Sequence, residues 1–389
     1  MTADQVLQVE RLIWRGRGLS RLPSGKIVLI DPGVYPGERV RVSISREKKD
    51  YLQAVWTEIV EPLPERRIHP CPSADSCGGC RFGTLPNQRQ LHFKHRLFRE
   101  ELERALRPFP QAMPDTPLEV FPSPKAWRYR WRGQVQVRAG RPHFRRLGSR
   151  DLIPLQDCLL LARPLGLGLA EACQDLPDGR HTLACSPQDA RVACDGERVR
   201  LDLPLKREGF SLKIDPGVFF QANWRLNQDL VDYVIRALAG TERVADCYAG
   251  AGNFALPLCR NAQKVLALES NPKAVVCCRE SAQQAGLDNC EVRRIDLAGK
   301  QLGETLSRFK PQGLVLDPPR TGGGKTGLST LSRLPGLERM VWVSCDLVNT
   351  CRDLRPFLEQ NWQIRALALF DMFPQTWHLE AVFVLDRKR

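Results

Sequence analysis

Hydrophobic and polar positions change rhythm twice along the 389 residues. Between 8 and 60, short alternating stretches (KIVLI, RVRVSI, YLQAVWTEIV) are broken by LPSG, DPG and PGE. Alternation at period two, cut every few residues by Gly and Pro, predicts short strands closing into a small β-barrel. EPLPERRIHPCP follows, with four prolines in twelve residues, and reads as a linker. In QRQLHFKHRLFREELERAL, the apolar Leu91, Phe98, Leu102 and Leu106 recur at helical spacing, which predicts an amphipathic helix with a basic outer face. Strand-like patterning returns from about 126 to 213, in RYRWRGQVQVR and RVRLDLPL.

After about 217 the texture changes. Helical NQDLVDYVIRALAG leads to strand RVADCYAG, helix NFALPLCRN, strand KVLALES and helix NPKAVVCCRESAQQAG. The strands GLVLDPP, MVWVSCD and AVFVLDR come later, separated by further helices. Such alternation predicts a doubly wound sheet. The expected fold class is therefore multidomain: an OB-like β-barrel over 1–62, a central α+β domain over 63–215, and an α/β Rossmann-like domain over 216–389. The helical segment at about 83–114 is free to pack on the third of these rather than the second. No uninterrupted apolar run approaches ~18 residues, so no membrane helix is expected. The opening MTADQVLQVERLIW lacks the basic-then-apolar layout of a secretory signal, and a cytoplasmic monomer is the expectation.

The net charge of +14 sharpens this picture, because +13 of it falls in the first 150 residues. A polyanion held by the front of the molecule accounts for the asymmetry, whereas solubility alone gives no reason for it. Basic and aromatic residues interleave at Trp127-Arg128-Tyr129-Arg130-Trp131-Arg132 and again at His143-Phe144-Arg145-Arg146. That composition suits RNA in which bases stack and phosphates pair, although an ordinary half-buried strand produces the same alternation.

Fourteen cysteines without a secretory signal point to metal binding or catalysis for any organised subset, rather than to disulfides. Cys173, Cys185, Cys194, Cys259, Cys277, Cys278, Cys290 and Cys351 read as small packing residues. Cys71, Cys77 and Cys80 sit together around Gly78-Gly79, and with the distant Cys158 give four thiolates. On spacing alone, zinc and an iron–sulfur cluster both fit them.

Strand RVAD runs into Tyr248-Ala249-Gly250-Ala251-Gly252. There Gly250 and Gly252 allow a tight turn and close approach of a ligand to the backbone. Glu269 ends the next strand, where a carboxylate can accept from ribose hydroxyls, and Asp296 ends the third, where it can face an adenine edge. The loop also satisfies a dinucleotide fingerprint, so a nicotinamide cofactor competes with S-adenosylmethionine. Asp246 and the DPPR element favour S-adenosylmethionine. Asp317, Cys345 and Glu380 lie far apart in sequence but at predicted strand ends that face one crevice.

FFQAN (219–223), DCYAGAGNFALPL (246–258), LDPPRTG (316–322), VSCD (343–346) and DMFPQTWHLE (371–380) occur in that order. With these elements the chain resembles the RNA 5-methyluridine methyltransferases. Residues 8–60, with PGERVRV, resemble the family's RNA-binding TRAM domain. The resemblance implies S-adenosylmethionine-dependent methylation of uridine carbon 5 in structured RNA, ribosomal before transfer RNA. Cys345 would be the nucleophile that adds to carbon 6, and Glu380 the base that removes the carbon-5 proton. Gln221, Tyr248, Gly250, Gly252, Glu269, Asp296 and Asp317 would hold the cofactor, with Asp317 also reaching the uracil edge. Phe219 would stack on a flipped base. The resemblance also tips Cys71, Cys77, Cys80 and Cys158 toward a 4Fe-4S cluster over zinc. One departure stands out: the family's S-C-N-P is here Ser344-Cys345-Asp346-Leu347. It leaves open a decayed enzyme that only binds RNA.

Overall fold

The computed structural model describes residues 5–114, 116–299 and 301–388, with the backbone alone at 325 and 326. The chain forms two compact units. The first comprises Met1–Glu101, Arg146–Ser149 and Phe373–His378; the second comprises Leu102–Arg145, Arg150–Met372 and Leu379–Arg389.

The first unit is built on a six-stranded sheet. Its order is Gln5–Gln8, Arg39–Glu47, Tyr51–Glu61, Ile27–Ile30, Arg17–Arg21 and Arg11–Ile13. The sheet curls, so that the Ser20 hydroxyl near one edge donates to the Gln8 carbonyl of the other at 2.7 Å. Val9, Val28, Ile30, Val40, Val42 and Ala54 fill the interior, as the alternating pattern requires. The proline-rich stretch after this sheet is anchored rather than a loose tether. Arg66 donates to the fully buried Glu38 at 2.6 and 2.8 Å and to the Gly33 carbonyl at 2.7 Å. The ion pair joins residues 28 apart, and local pattern carries no trace of it. Helix Asn87–Leu106 begins in this unit. The segment 373–378 is stitched to it by Gln375, whose amide groups exchange hydrogen bonds of 2.7 Å with Gln90.

The second unit contains a five-stranded sheet, a two-stranded hairpin (Leu201–Leu205 with Phe210–Ile214) and an eight-stranded sheet. In the large sheet the order is Cys290–Arg294, Lys264–Glu269, Arg243–Cys247, Gly313–Leu316, Arg339–Ser344, Glu380–Arg387, Trp362–Phe370 and Glu119–Phe121. The first five run parallel, and Glu380–Arg387 is inserted antiparallel to both its neighbours. This is a Rossmann-like sheet whose central strands are buried on both faces, which explains their near-continuous apolar runs. The edge strand Glu119–Phe121 comes from a stretch too short for periodicity to reveal. It is fixed by Phe121 stacked on Phe370 at 4.3 Å. Among the described residues, no helix is long and apolar enough to cross a membrane.

Candidate active site

The sheet register accounts for the convergence of residues that sequence scatters. Leu316 pairs with Trp342, and Ser344 pairs with Ala381, so Asp317, Cys345 and Glu380 emerge at one edge of three adjacent strands. Because Glu380–Arg387 runs opposite to its neighbours, its first residue stands where theirs are last.

Cys345 is held on both sides. Before it, strand Arg339–Ser344 is paired in the sheet; after it, Asp346 caps helix Leu347–Leu358 by accepting from the Asn349 amide at 3.2 Å. The Ser344 hydroxyl also accepts from the Asp346 amide at 3.1 Å. Aspartate is among the preferred N-caps, so Asp346 starts the helix directly after Cys345. Asn349 extends the same scaffold by donating to the Arg320 carbonyl at 2.8 Å.

The electrostatics around the sulfur are sharply divided. Burial, reinforced by Glu380 and Asp317, pushes the Cys345 thiol up to about 12, while the Arg320 guanidinium opposes this by charge and by a hydrogen bond to the sulfur. Burial also raises Glu380 well above the usual carboxylate range; Asp317 adds to that and Arg320 counters it. Burial pushes Asp317, which keeps some solvent contact, up to about 7. Cys345 and Glu380 thus share the Arg320 guanidinium, and both are acted on by the neighbouring Asp317 carboxylate. The sequence placed Arg320 in a motif but gave it no role; its position directly after the DPP turn was the available signal.

The glycine loop takes the shape that its residues predict. Tyr248, Gly250 and Gly252 all have positive φ, at 70°, 56° and 96°. A side chain at Gly250 would enter open space, whereas a Cβ at Gly252 would lie 2.6 Å from Leu256 Cγ. The first glycine therefore leaves room for a ligand and the second permits packing. The Tyr248 hydroxyl donates to the Gly323 carbonyl at 3.2 Å. Glu269 accepts from the amides of Gly250, Ser270 and Asn271 at 2.9, 2.8 and 2.7 Å, which fixes its carboxylate at the strand end. Asp296 is exposed and accepts from the Ala298 amide at 3.0 Å. Fully buried Asp246 accepts from the Ala255 amide at 2.9 Å, and its second oxygen has no hydrogen-bond partner among the described residues. Burial and Asp317 raise its pKa strongly. The positive-φ turn, open space over Gly250 and carboxylates at successive strand ends fit a nucleoside-bearing cofactor.

Gln221 and Phe219 stand on a separate segment of the same unit. Gln221 is buried, and neighbouring Asn223 donates to the Met372 carbonyl at 3.3 Å. Phe219 is 60% exposed, with the Arg132 guanidinium 5.1 Å from its ring centre, whereas Phe220 beside it is buried. The interleaved segment before them is partly structural: Tyr129 is buried, and Arg128 donates to Asp157 at 2.7 Å.

Among the described residues every cysteine is a thiol rather than part of a disulfide. Cys71, Cys77 and Cys80 lie on one loop of the first unit, and the Cys77 amide donates to the Ser73 carbonyl at 2.8 Å. Cys158 belongs to the second unit, against the apolar core of the five-stranded sheet.

Residues 180–388 match the family described as tRNA (Uracil-5-)-methyltransferase. The 23S rRNA (uracil(1939)-C(5))-methyltransferase of Chromohalobacter salexigens is 32% identical to the chain, across 99% of this chain and 90% of that protein. The chain belongs to the RNA uracil-5-methyltransferase family. The Pseudomonas putida enzyme of the same description is a further such methyltransferase, 29% identical over 98% of this chain and 93% of its own length. The fold of these uracil-5-methyltransferases is also found in the Pyrococcus abyssi tRNA (uracil-54, C5)-methyltransferase, solved with S-adenosyl-L-homocysteine. That structure superimposes with a TM-score of 0.72 at 22% identity, covering 97% of this chain and 99% of the other.

Proposed function

We propose that this uracil-5-methyltransferase modifies a uridine of 23S ribosomal RNA in the cytoplasm, acting as a monomer with Cys345 as nucleophile. The observation that carries the chemistry is the meeting of Cys345, Glu380, Asp317 and Arg320 at adjacent strand ends. Full-length likeness to ribosomal-RNA enzymes favours that substrate over transfer RNA.

S-adenosylmethionine supplies the methyl group as an electrophilic sulfonium; Gln221, Tyr248, Gly250, Gly252, Glu269, Asp296 and Asp317 are the residues assigned to hold it. The protein's own groups do the rest. Arg320 stabilises the Cys345 thiolate, the thiol proton having gone to solvent. The sulfur adds to carbon 6 of uracil, which makes carbon 5 nucleophilic. Once carbon 5 carries the methyl group, Glu380, having first released its own proton to solvent, takes the carbon-5 proton, the carbon 5–carbon 6 double bond returns, and the carbon–sulfur bond breaks. Asp317 accepts from the uracil edge, and Phe219 stacks on the displaced base.

The three-part division at 1–62, 63–215 and 216–389 belongs to this reading, with a TRAM-like RNA-binding barrel in front. Cys71, Cys77, Cys80 and Cys158 hold a 4Fe-4S cluster with a structural or RNA-positioning role.

The deciding assay gives methyl-labelled S-adenosylmethionine and 23S ribosomal RNA to the parent and to Cys345→Ala. Label at carbon 5 of one uridine is expected with the parent alone. Full activity in the variant overturns the mechanism, and inactivity of both favours an RNA-binding protein without catalysis. RNA carrying 5-fluorouridine is expected to remain covalently bound to the parent.

A further inference from the structure

Methyl transfer makes no use of a cluster on the hairpin formed by Gly179–Cys185 and Val192–Cys194, within the second unit. Leu183 pairs with Cys194, so His181, two residues before Leu183, lies diagonally across from Cys194 on the same face. Asp195 follows the strand. Its amide donates to the Thr182 carbonyl at 2.9 Å, and its carboxylate is turned back to accept from the Thr182 amide at 3.0 Å. These backbone contacts bring three different donor atoms together: His181 Nδ1 to Asp195 Oδ1, 3.5 Å; Cys194 Sγ to His181 Nδ1, 3.8 Å; Cys194 Sγ to Asp195 Oδ1, 3.1 Å.

We propose that His181, Cys194 and Asp195 form a site for a zinc-class divalent cation, with water or another outside ligand completing the tetrahedron. Three facts carry it. Thiolate, imidazole and carboxylate on one tetrahedral zinc stand about 3.3 Å (N to O), 3.55 Å (S to N) and 3.5 Å (S to O) apart, from ordinary bond lengths. All three observed spacings lie within about 0.4 Å of those values. Second, His181 Nε2 is 2.9 Å from the Pro177 carbonyl, which can only accept. Nε2 therefore carries the proton, and the lone pair of Nδ1 faces the sulfur and the carboxylate. A carbonyl behind the ring is the usual way a metal-binding histidine is oriented. Third, Cys194 is buried while Asp195 remains partly open, so a cation can enter from the carboxylate side.

Without metal the Cys194 thiol donates to Asp195, and burial together with that carboxylate pushes its pKa up to about 12. Metal binding replaces this proton: the S–H bond breaks, a sulfur–metal bond forms, and the proton passes to solvent with no change of oxidation state. The cation would staple the two strands of the hairpin.

The test adds Co2+ to the full chain as purified, so that other metal groups stay in place, and compares the parent with Cys194→Ser and His181→Gln. Expected is one cobalt per chain more in the parent than in either variant, with a thiolate-to-cobalt absorption band that Cys194→Ser abolishes and Zn2+ displaces. Zn2+ is also expected to raise the parent's melting midpoint but not that of His181→Gln. Should Cys194→Ser fail to fold, His181→Gln, which alters a side chain near the surface, decides alone. Equal cobalt content and equal Zn2+ response in the parent and a folded His181→Gln overturn the proposal and leave the thiol–carboxylate hydrogen bond as the cluster's only role.

Discussion

Alkylation of Cys345 by iodoacetamide is expected to be slow in the protein without ligands and to keep accelerating well above pH 9. The thiol is pushed from an ordinary value of 9.0 to about 12. At pH 8 the thiolate fraction is then about one in ten thousand, against roughly one in ten for an ordinary thiol, a loss of about a thousandfold. A more basic thiolate is intrinsically more nucleophilic. With a Brønsted slope of about 0.4–0.5, three pKa units return roughly 15- to 30-fold. Depletion wins, and labelling at pH 8 is expected to run about 30 to 70 times slower than that of an unhindered peptide thiol. Peptide mass spectrometry after timed quenching separates Cys345 from the other thirteen cysteines. Limited access also slows the reaction, but it scales the rate without moving its pH dependence, so the position of the plateau is the discriminating quantity. A plateau near pH 9 refutes the electrostatic account of this site. Arg320→Ala removes a charge that favours the thiolate and is expected to slow labelling further.

Asp317 titrates near 7 in the fold instead of near 3.8. A raised folded-state pKa gives stability that is complete below about pH 4 and lost as pH climbs through about 7, so ligand-free protein should weaken from pH 5 to pH 8. Asp317→Asn is expected to flatten that slope in thermal melts, gaining on the order of 2 kcal/mol at pH 8 after discounting for its solvent contact, while abolishing methyl transfer. Glu380→Gln removes the proton acceptor but not the nucleophile, so a protein–RNA adduct with ordinary uridine should persist on a denaturing gel; turnover at the parent rate would remove Glu380 from the mechanism. Glu38→Gln leaves Arg66 half-paired against the first sheet and is expected to cost about 3–5 kcal/mol in denaturant unfolding, a loss below about 1 kcal/mol being incompatible with a buried pair.

The Rossmann-like half was legible because its strands and helices are long enough to show their periods, and because strand ends locate the crevice without contact information. Cys345, Asp317 and Glu380 followed from that rule. Arg320 did not, since the value of a cation depends on which acids the fold sets around it. Asp346 looked like a defect in the motif, yet it caps the helix that follows Cys345. Glu119–Phe121 was hidden by its three-residue length, and Arg66–Glu38 by the distance along the chain between its partners. Cys194 packs in the core as expected, but His181 and Asp195 reach it through hairpin register, and no regular spacing in sequence announces them.

With strand pairing on one side of Cys345 and a capped helix on the other, the sulfur swings about little more than its own Cα–Cβ bond. Such an atom loses little freedom when it bonds to carbon, so the entropy of reaching the reactive geometry is settled during folding. The cost of movement falls on the other partner. If Cys345 is the nucleophile proposed above, a uridine stacked in RNA must leave its neighbours to meet a sulfur that cannot come to it, and readily unstacked nucleotides should be preferred over helical ones of identical sequence. Selectivity would then come partly from RNA mechanics, before any base edge is read.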